Sequence, residues 1–112
     1  MSTQIKTLAQ LEEYKNTHET VLLKFSAGWC APCRVLDARI TDIENVLEKD
    51  GKRDVTAILT VDVEDADEEL VSSFSVTALP TCIIFRKNHT VSMERLIGIV
   101  SFNTLFKKLT GE

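Results

Sequence analysis

Two cysteines, Cys30 and Cys33, stand three positions apart in "FSAGWCAPCR", the stretch from Phe25 to Arg34. Two thiols this close suit few chemistries. They exchange with a disulfide, or they supply half of a tetrahedral metal site. The metal reading needs two more ligands. The remaining candidates are Cys82, His18 and His89, and they form no second pair. A structural role for the pair is the other alternative, and its context weighs against it: Trp29 before, Pro32 between, a strand upstream and a helix downstream. The exchange reading needs a sulfur whose proton leaves easily. At a strand-to-helix junction, unpaired N–H groups and the positive end of the helix dipole favour a thiolate. Arg34 adds a cation. Across the first helical turn the two sulfurs come together, so they can close a disulfide. Pro32 fits that turn, which does not need its N–H, and it stiffens the ring. In the expected cycle Cys30, the more exposed thiol, attacks a substrate disulfide. Cys33, the more shielded, then attacks the mixed disulfide and frees the reduced substrate.

The elements that position this pair are legible from periodicity. "VLLKF" (21–25) is a nearly continuous apolar run, as in a strand covered on both faces. Leu36, Ile40, Ile43 and Leu47 then repeat at helical spacing, with Gly51 as the stop. Upstream, residues 3–6 read as a first strand and 7–19 as a helix capped by Thr7. Downstream, 55–63 is a β-branched strand. A short acidic helix follows over 65–74, with Ala66, Leu70, Val71 and Phe74 turned inward. Pro80 punctuates, 81–86 is a strand, 88–89 a turn, and 91–98 another strand. Ser101 caps a last helix carrying Phe102, Leu105, Phe106 and Leu109 on one face. The order is βαβαβαββα. Helices between strands predict right-handed crossovers and parallel pairing, with the last two strands forming an antiparallel hairpin.

Composition bounds the class. A chain of 112 residues fits a single domain over 1–112, with 44% apolar and 27% charged residues. Seventeen acids against thirteen bases give a net charge of −4, which argues against nucleic acid or an anionic membrane as partner. No apolar run is long enough to span a bilayer, and "MSTQIKTLAQ" lacks the features of a secretory signal. The expected setting is the reducing cytoplasm, where a close cysteine pair signals redox chemistry or a metal before a scaffold disulfide.

"FSAGWCAPCR" together with "ALPTCIIF" resembles the thioredoxin family, and the resemblance spans essentially the whole chain in length and element order. It implies an α/β thioredoxin-like fold, a central mixed sheet flanked by helices on both faces. It implies a cis Leu79–Pro80 peptide facing the cysteines, where an extended substrate pairs strand-fashion. Trp29, Val63, Leu79, Ile97 and Gly98 would line the apolar landing surface beside Pro80. The function implied is reduction of protein disulfides, such as those of peroxiredoxins or reductases. Electrons would come from NADPH through a flavoprotein thioredoxin reductase, with no cofactor or metal bound by this chain. Two rivals stand beside it. One is a tryparedoxin-like oxidoreductase with another dithiol donor, since those proteins carry "WCPPCR". The other is a thioredoxin-fold binding module, against which the intact cysteines argue.

The chain departs from the family pattern at specific places. Ala31 replaces the usual glycine; with Pro32 and Arg34 it belongs to the stretch that tunes redox potential. Ala38 replaces a helix-kinking proline, and the last hairpin is two residues longer. Lys24 replaces a buried aspartate, and Thr60 replaces that aspartate's usual lysine neighbour. Alternation in "VLLKF" points Lys24 away from Leu23 and Phe25, toward the face that the resemblance puts beneath Cys33. An ammonium there needs a partner. Asp37, four residues after Cys33 on the same helix face, is the candidate. The buried carboxylate would then have moved from strand to helix, with Lys24 as counter-ion and Asp37 placed to take the Cys33 proton. The alternative has Lys24 snorkel to solvent and Asp37 simply exposed. Cys82 reads as a small core residue ahead of a third redox thiol. His18, His89 and the acidic run 62–69 read as solvated surface.

Overall fold

The computed structural model describes residues 2–87 and 92–111. Ten elements follow the chain. They are β1 (Thr3–Gln4), α1 (Leu8–Thr17), β2 (Thr20–Ser26), α2 (Ala31–Lys49), a 3-10 turn at Arg53–Val55, β3 (Thr56–Asp62), α3 (Glu68–Ser73), β4 (Thr81–Arg86), β5 (Met93–Ile97) and α4 (Phe102–Thr110). The strands form one sheet in the order β1-β3-β2-β4-β5. The turn expected at 88–89, His89, and Val91 at the head of the expected last strand lie outside the described residues.

β2 runs down the middle, and its apolar sequence follows from that position. Val21, Leu23 and Phe25 face one core with Leu11 of α1 and Leu70 of α3. Leu22 faces the other, with Leu36, Ile40, Ile43 and Leu47 of α2 and Leu105 and Leu109 of α4. Helices thus cover both faces. The helix ends are built as the sequence indicates. The Thr7 side chain accepts the Gln10 N–H while Gln10 reaches back, a capping box. Ser101 caps α4 through the Thr104 N–H. Past the end of α2, Gly51 takes φ +71 and the Lys52 N–H donates to the Leu47 carbonyl at 2.8 Å.

One expectation fails. β3 is parallel to β2 and β1 to β3, but β4, reached through α3, is antiparallel to β2. A parallel return would have to carry the chain back along β3, whose seven residues span about 23 Å. The six residues of α3 cover only about 9 Å, whereas the nineteen of α2 cover about 28 Å. So 63–80 stays at the end of the sheet where β3 finishes. β4 starts there and runs back, with Thr81 opposite Phe25. This reversal brings Leu79 and Pro80 to the cysteine end.

Candidate active site

α2 begins at Ala31, with Cys30 as its cap and Pro32 in the first turn. Cys30 and Cys33 form a disulfide, with Cα atoms 5.4 Å apart. The Cys33 N–H points at the Cys30 sulfur from 3.2 Å. This is one of the donors a helix start leaves unpaired, and it favours negative charge on that sulfur. The Arg34 guanidinium folds back and donates to the Gly28 carbonyl at 2.6 Å, bracing the loop ahead of Cys30.

Both cysteines are nearly closed to solvent: Cys30 is 3% exposed, against 1% for Cys33, so Cys30 is the more exposed only by a narrow margin. The disulfide packs with Ala27, and Val63 and Leu79 lie against it. The asymmetry between the two sulfurs therefore lies in helix position rather than in exposed area. Trp29, next in the chain to Cys30, is 67% exposed, and Ile97, at the end of β5, is 57% exposed. The Leu79–Pro80 peptide is cis. The Gly98 N–H donates to the Pro80 carbonyl at 2.8 Å, and Ile97 lies opposite Thr81, so the end of β5 is fixed beside the Pro80 loop. Gly98 takes φ +86 there, a conformation that favours glycine. Val63, Leu79 and the disulfide thus meet directly. Pro80, Ile97 and Gly98 are tied to them through the loop, and Trp29 through the chain.

Lys24 lies in the sheet between Thr60 and Cys82. Its side chain is 4% exposed, and its ammonium contacts the Asp37 carboxylate. Lys24 therefore does not snorkel to water. Asp37, however, is no buried carboxylate: it is 51% exposed and reaches inward from the helix surface. Burial pulls the Lys24 ammonium below the ordinary lysine range, an effect that a Cys82 thiolate would oppose. Cys82 is buried, and desolvation pushes its thiol up to about 12. At neutral pH it is a protonated core residue. Thr60, opposite Lys24 in register, turns its hydroxyl to Ser2.

Sequence reasoning missed Glu44, a buried carboxylate on α2 paired with Arg53 at 3.1 Å beside the Lys24 pocket. A signal existed: Glu44 sits four residues after Ile40, on the edge of the apolar stripe. It also missed the ion pairs of buried Arg86 and of Lys108 with Glu94, at 3.6 and 2.9 Å. Among the described residues no cluster of His, Cys, Asp or Glu could hold a metal. No described helix is long and apolar enough to cross a membrane.

A disulfide at a helix start, with Val63 and Leu79 packed against it and a cis Leu79–Pro80 peptide following, is the arrangement of a thiol–disulfide exchange centre. The thioredoxin family model matches residues 3–110, so the chain belongs to the thioredoxin family. A thioredoxin of Mycoplasma genitalium is 31% identical over 100 residues, 89% of each chain. Thioredoxin 1 of Nostoc is 30% identical over 98 residues, 88% of this chain and 84% of that one. Among solved structures, Fasciola hepatica thioredoxin superposes with a TM-score of 0.75 at 25% identity, covering 97% of both chains. Chloroplastic thioredoxin z gives 0.81 at 20% identity, over 98% and 92%, a likeness of fold. The protein is a thiol–disulfide oxidoreductase with protein-disulfide reductase activity.

Proposed function

We propose that the span 1–112 works as a single cytoplasmic domain in which Cys30 attacks a protein disulfide and Cys33 resolves the mixed disulfide. The observation that carries this order is the Cys33 N–H aimed at the Cys30 sulfur from 3.2 Å. That donor stabilises charge on Cys30 while Cys33 still holds its proton. Substrate lies across Trp29, Val63, Leu79, Ile97 and Gly98, with its backbone against the Pro80 loop. Large exposed side chains such as Trp29 supply contact area for chemically varied partners. Ala31, Pro32 and Arg34 set the potential of the pair. The family supports disulfide proteins, peroxiredoxins and reductases among them, as substrates. It also supports a flavoprotein reductase passing electrons from NADPH as donor, with no cofactor held by this chain.

Insulin reduction tests the reading. Turnover is expected with NADPH and a thioredoxin reductase, and its loss in Cys30→Ser. Turnover with a low-molecular-weight dithiol but none with the reductase would overturn the donor assignment. No turnover with either would overturn the catalytic assignment.

A further inference from the structure

Cys33 and Asp37 lie four residues apart on α2, so their side chains share a face. Two clefts open along it. One, of about 250 Å3, is bordered by Cys33, Arg34, Asp37 and Asp62. The other, of about 370 Å3, is bordered by Lys24, Asp37, Thr41 and Glu44. Gln4, Ser26, Asp37 and Thr60 border both, and of these four only Asp37 ionises. One carboxylate therefore stands among the resolving sulfur, a fixed buried cation and open water.

Cys33 is 1% exposed, so a thiolate formed there has lost its hydration. Resolution is eased by a group that takes the proton as the new S–S bond forms. Of the other charged or ionisable groups around this space, Arg34 donates to Gly28, Glu44 pairs with Arg53, and one Asp62 oxygen accepts the Glu64 N–H at 2.9 Å, so Asp62 is the competing carboxylate on this cleft. The buried Cys82 thiol stays protonated.

We infer that Asp37 accepts the Cys33 proton during resolution, and that Lys24 is a positioning residue holding the Asp37 carboxylate inward from the sheet. This rests on the roles of Cys30 and Cys33 proposed above. The proton passes from the Cys33 sulfur to an Asp37 oxygen as the sulfur attacks Cys30. The Cys30–Cys33 bond forms, and the bond from Cys30 to the substrate sulfur breaks. Its electron pair leaves on the substrate thiolate. The dithiol gives up two electrons, and the substrate disulfide gains them. Asp37, half exposed, passes its proton to water, and the substrate thiolate takes up a proton from water.

Stopped-flow reaction of the reduced protein with 5,5′-dithiobis(2-nitrobenzoate) separates the steps. The first chromophore release reports attack by Cys30, and the second reports resolution. Asp37→Asn is expected to slow the second phase at pH 7 by about 10- to 100-fold. The first phase should stay within about twofold, because Asp37 takes no proton from Cys30. Between about pH 6 and 8, where a carboxylate is ionised, the unmodified protein's second phase stays nearly flat. In Asp37→Asn it climbs close to tenfold per pH unit, following ionisation of the thiol itself. Lys24→Met shifts the second phase in the same direction by less, and Asp62→Asn leaves both phases unchanged. An unchanged second phase and pH profile in Asp37→Asn would overturn the inference. So would acceleration by Asp37→Asn with slowing by Lys24→Met, which would assign the effect to the ammonium, or an equal loss in Asp62→Asn. Absence of two phases in the unmodified protein would instead overturn the Cys30/Cys33 assignment.

Discussion

Substitution of the two partners of the Lys24–Asp37 pair is expected to move stability in opposite directions. The pair is lopsided: the Lys24 side chain is 4% exposed and the Asp37 side chain 51%. Removing an ion from water costs several kcal/mol, and here the lysine bears most of that cost. Lys24→Met keeps an unbranched apolar side chain beside Leu22 and Cys82 and discards the desolvated charge. The carboxylate left behind turns to water. A gain of about 1–3 kcal/mol follows, or a rise of roughly 4–10 °C in Tm for a chain of this size. Asp37→Asn does the reverse, leaving a buried ammonium with no counter-charge. Its cost is about 1–3 kcal/mol, between the near-zero worth of surface pairs and the 3–5 of fully buried ones. The pH dependence separates this account from simple packing. The folded Lys24 pKa lies below 10.5, so between the two values the unfolded chain holds a proton that the folded chain has released. Stability contributed by this residue therefore rises with pH through that window. The window should extend lower in Asp37→Asn and vanish in Lys24→Met. Urea unfolding at pH 7 and at steps up to pH 10.5, followed by far-ultraviolet circular dichroism, reads both effects. A Lys24→Met variant less stable than the parent by 1 kcal/mol or more, on the order of the smallest change expected, would refute the reasoning.

Four further outcomes are expected. Cys33→Ser traps a mixed disulfide with a protein substrate, seen by intact-mass spectrometry, whereas trapping by Cys30→Ser would reverse the order of attack. Cys82, with its thiol pushed up to about 12, resists alkylation at pH 8 in the reduced native protein and reacts only on unfolding; prompt labelling would contradict its burial. Because its folded pKa is raised above the ordinary 9.0, the stability it contributes is full below pH 9 and declines toward 12, opposite in sign to Lys24. A Cys82→Val variant should therefore hold its stability better from pH 9 to 11. Trp29→Ala raises KM for insulin several-fold and leaves the rate with a small aryl disulfide within about twofold, since only a large partner spans the apolar surface; equal losses on both substrates would show that Trp29 acts on the disulfide itself.

Where local chemistry determines the outcome, the sequence was a sufficient guide. Thr7 and Ser101 cap their helices, Gly51 takes the left-handed turn after α2, and the apolar run of β2 is covered on both faces. The cysteine junction was legible for the same reason, because a strand end and a helix start leave a residue like Cys30 little freedom. The direction of β4 was not. It depends on whether a six-residue helix can span a strand, and a rule that pairs helices with parallel crossovers does not weigh length. The 3-10 turn at Arg53–Val55 went unread, and the buried charges of Glu44 and Arg86 were missed because helix and strand periodicity scores a charged residue as exposed.

The Lys24–Asp37 pair lies on the boundary between these cases. Alternation in β2 fixes the face of Lys24, and the four-residue step from Cys33 fixes the face of Asp37; together these place the partners. Neither period specifies depth. Depth comes from how α2 settles on the sheet, with Leu36 and Ile40 seated against Leu22, Ile58 and Ile84. That seating holds Lys24 at the middle strand, between Thr60 and Cys82, while Asp37 stays at the helix margin, bordering both clefts. A carboxylate placed symmetrically deep would have shared the desolvation of its partner and had no path to water. Placed at the margin, it neutralises a buried cation on one side and meets solvent on the other. A proton acceptor for a buried sulfur needs both properties.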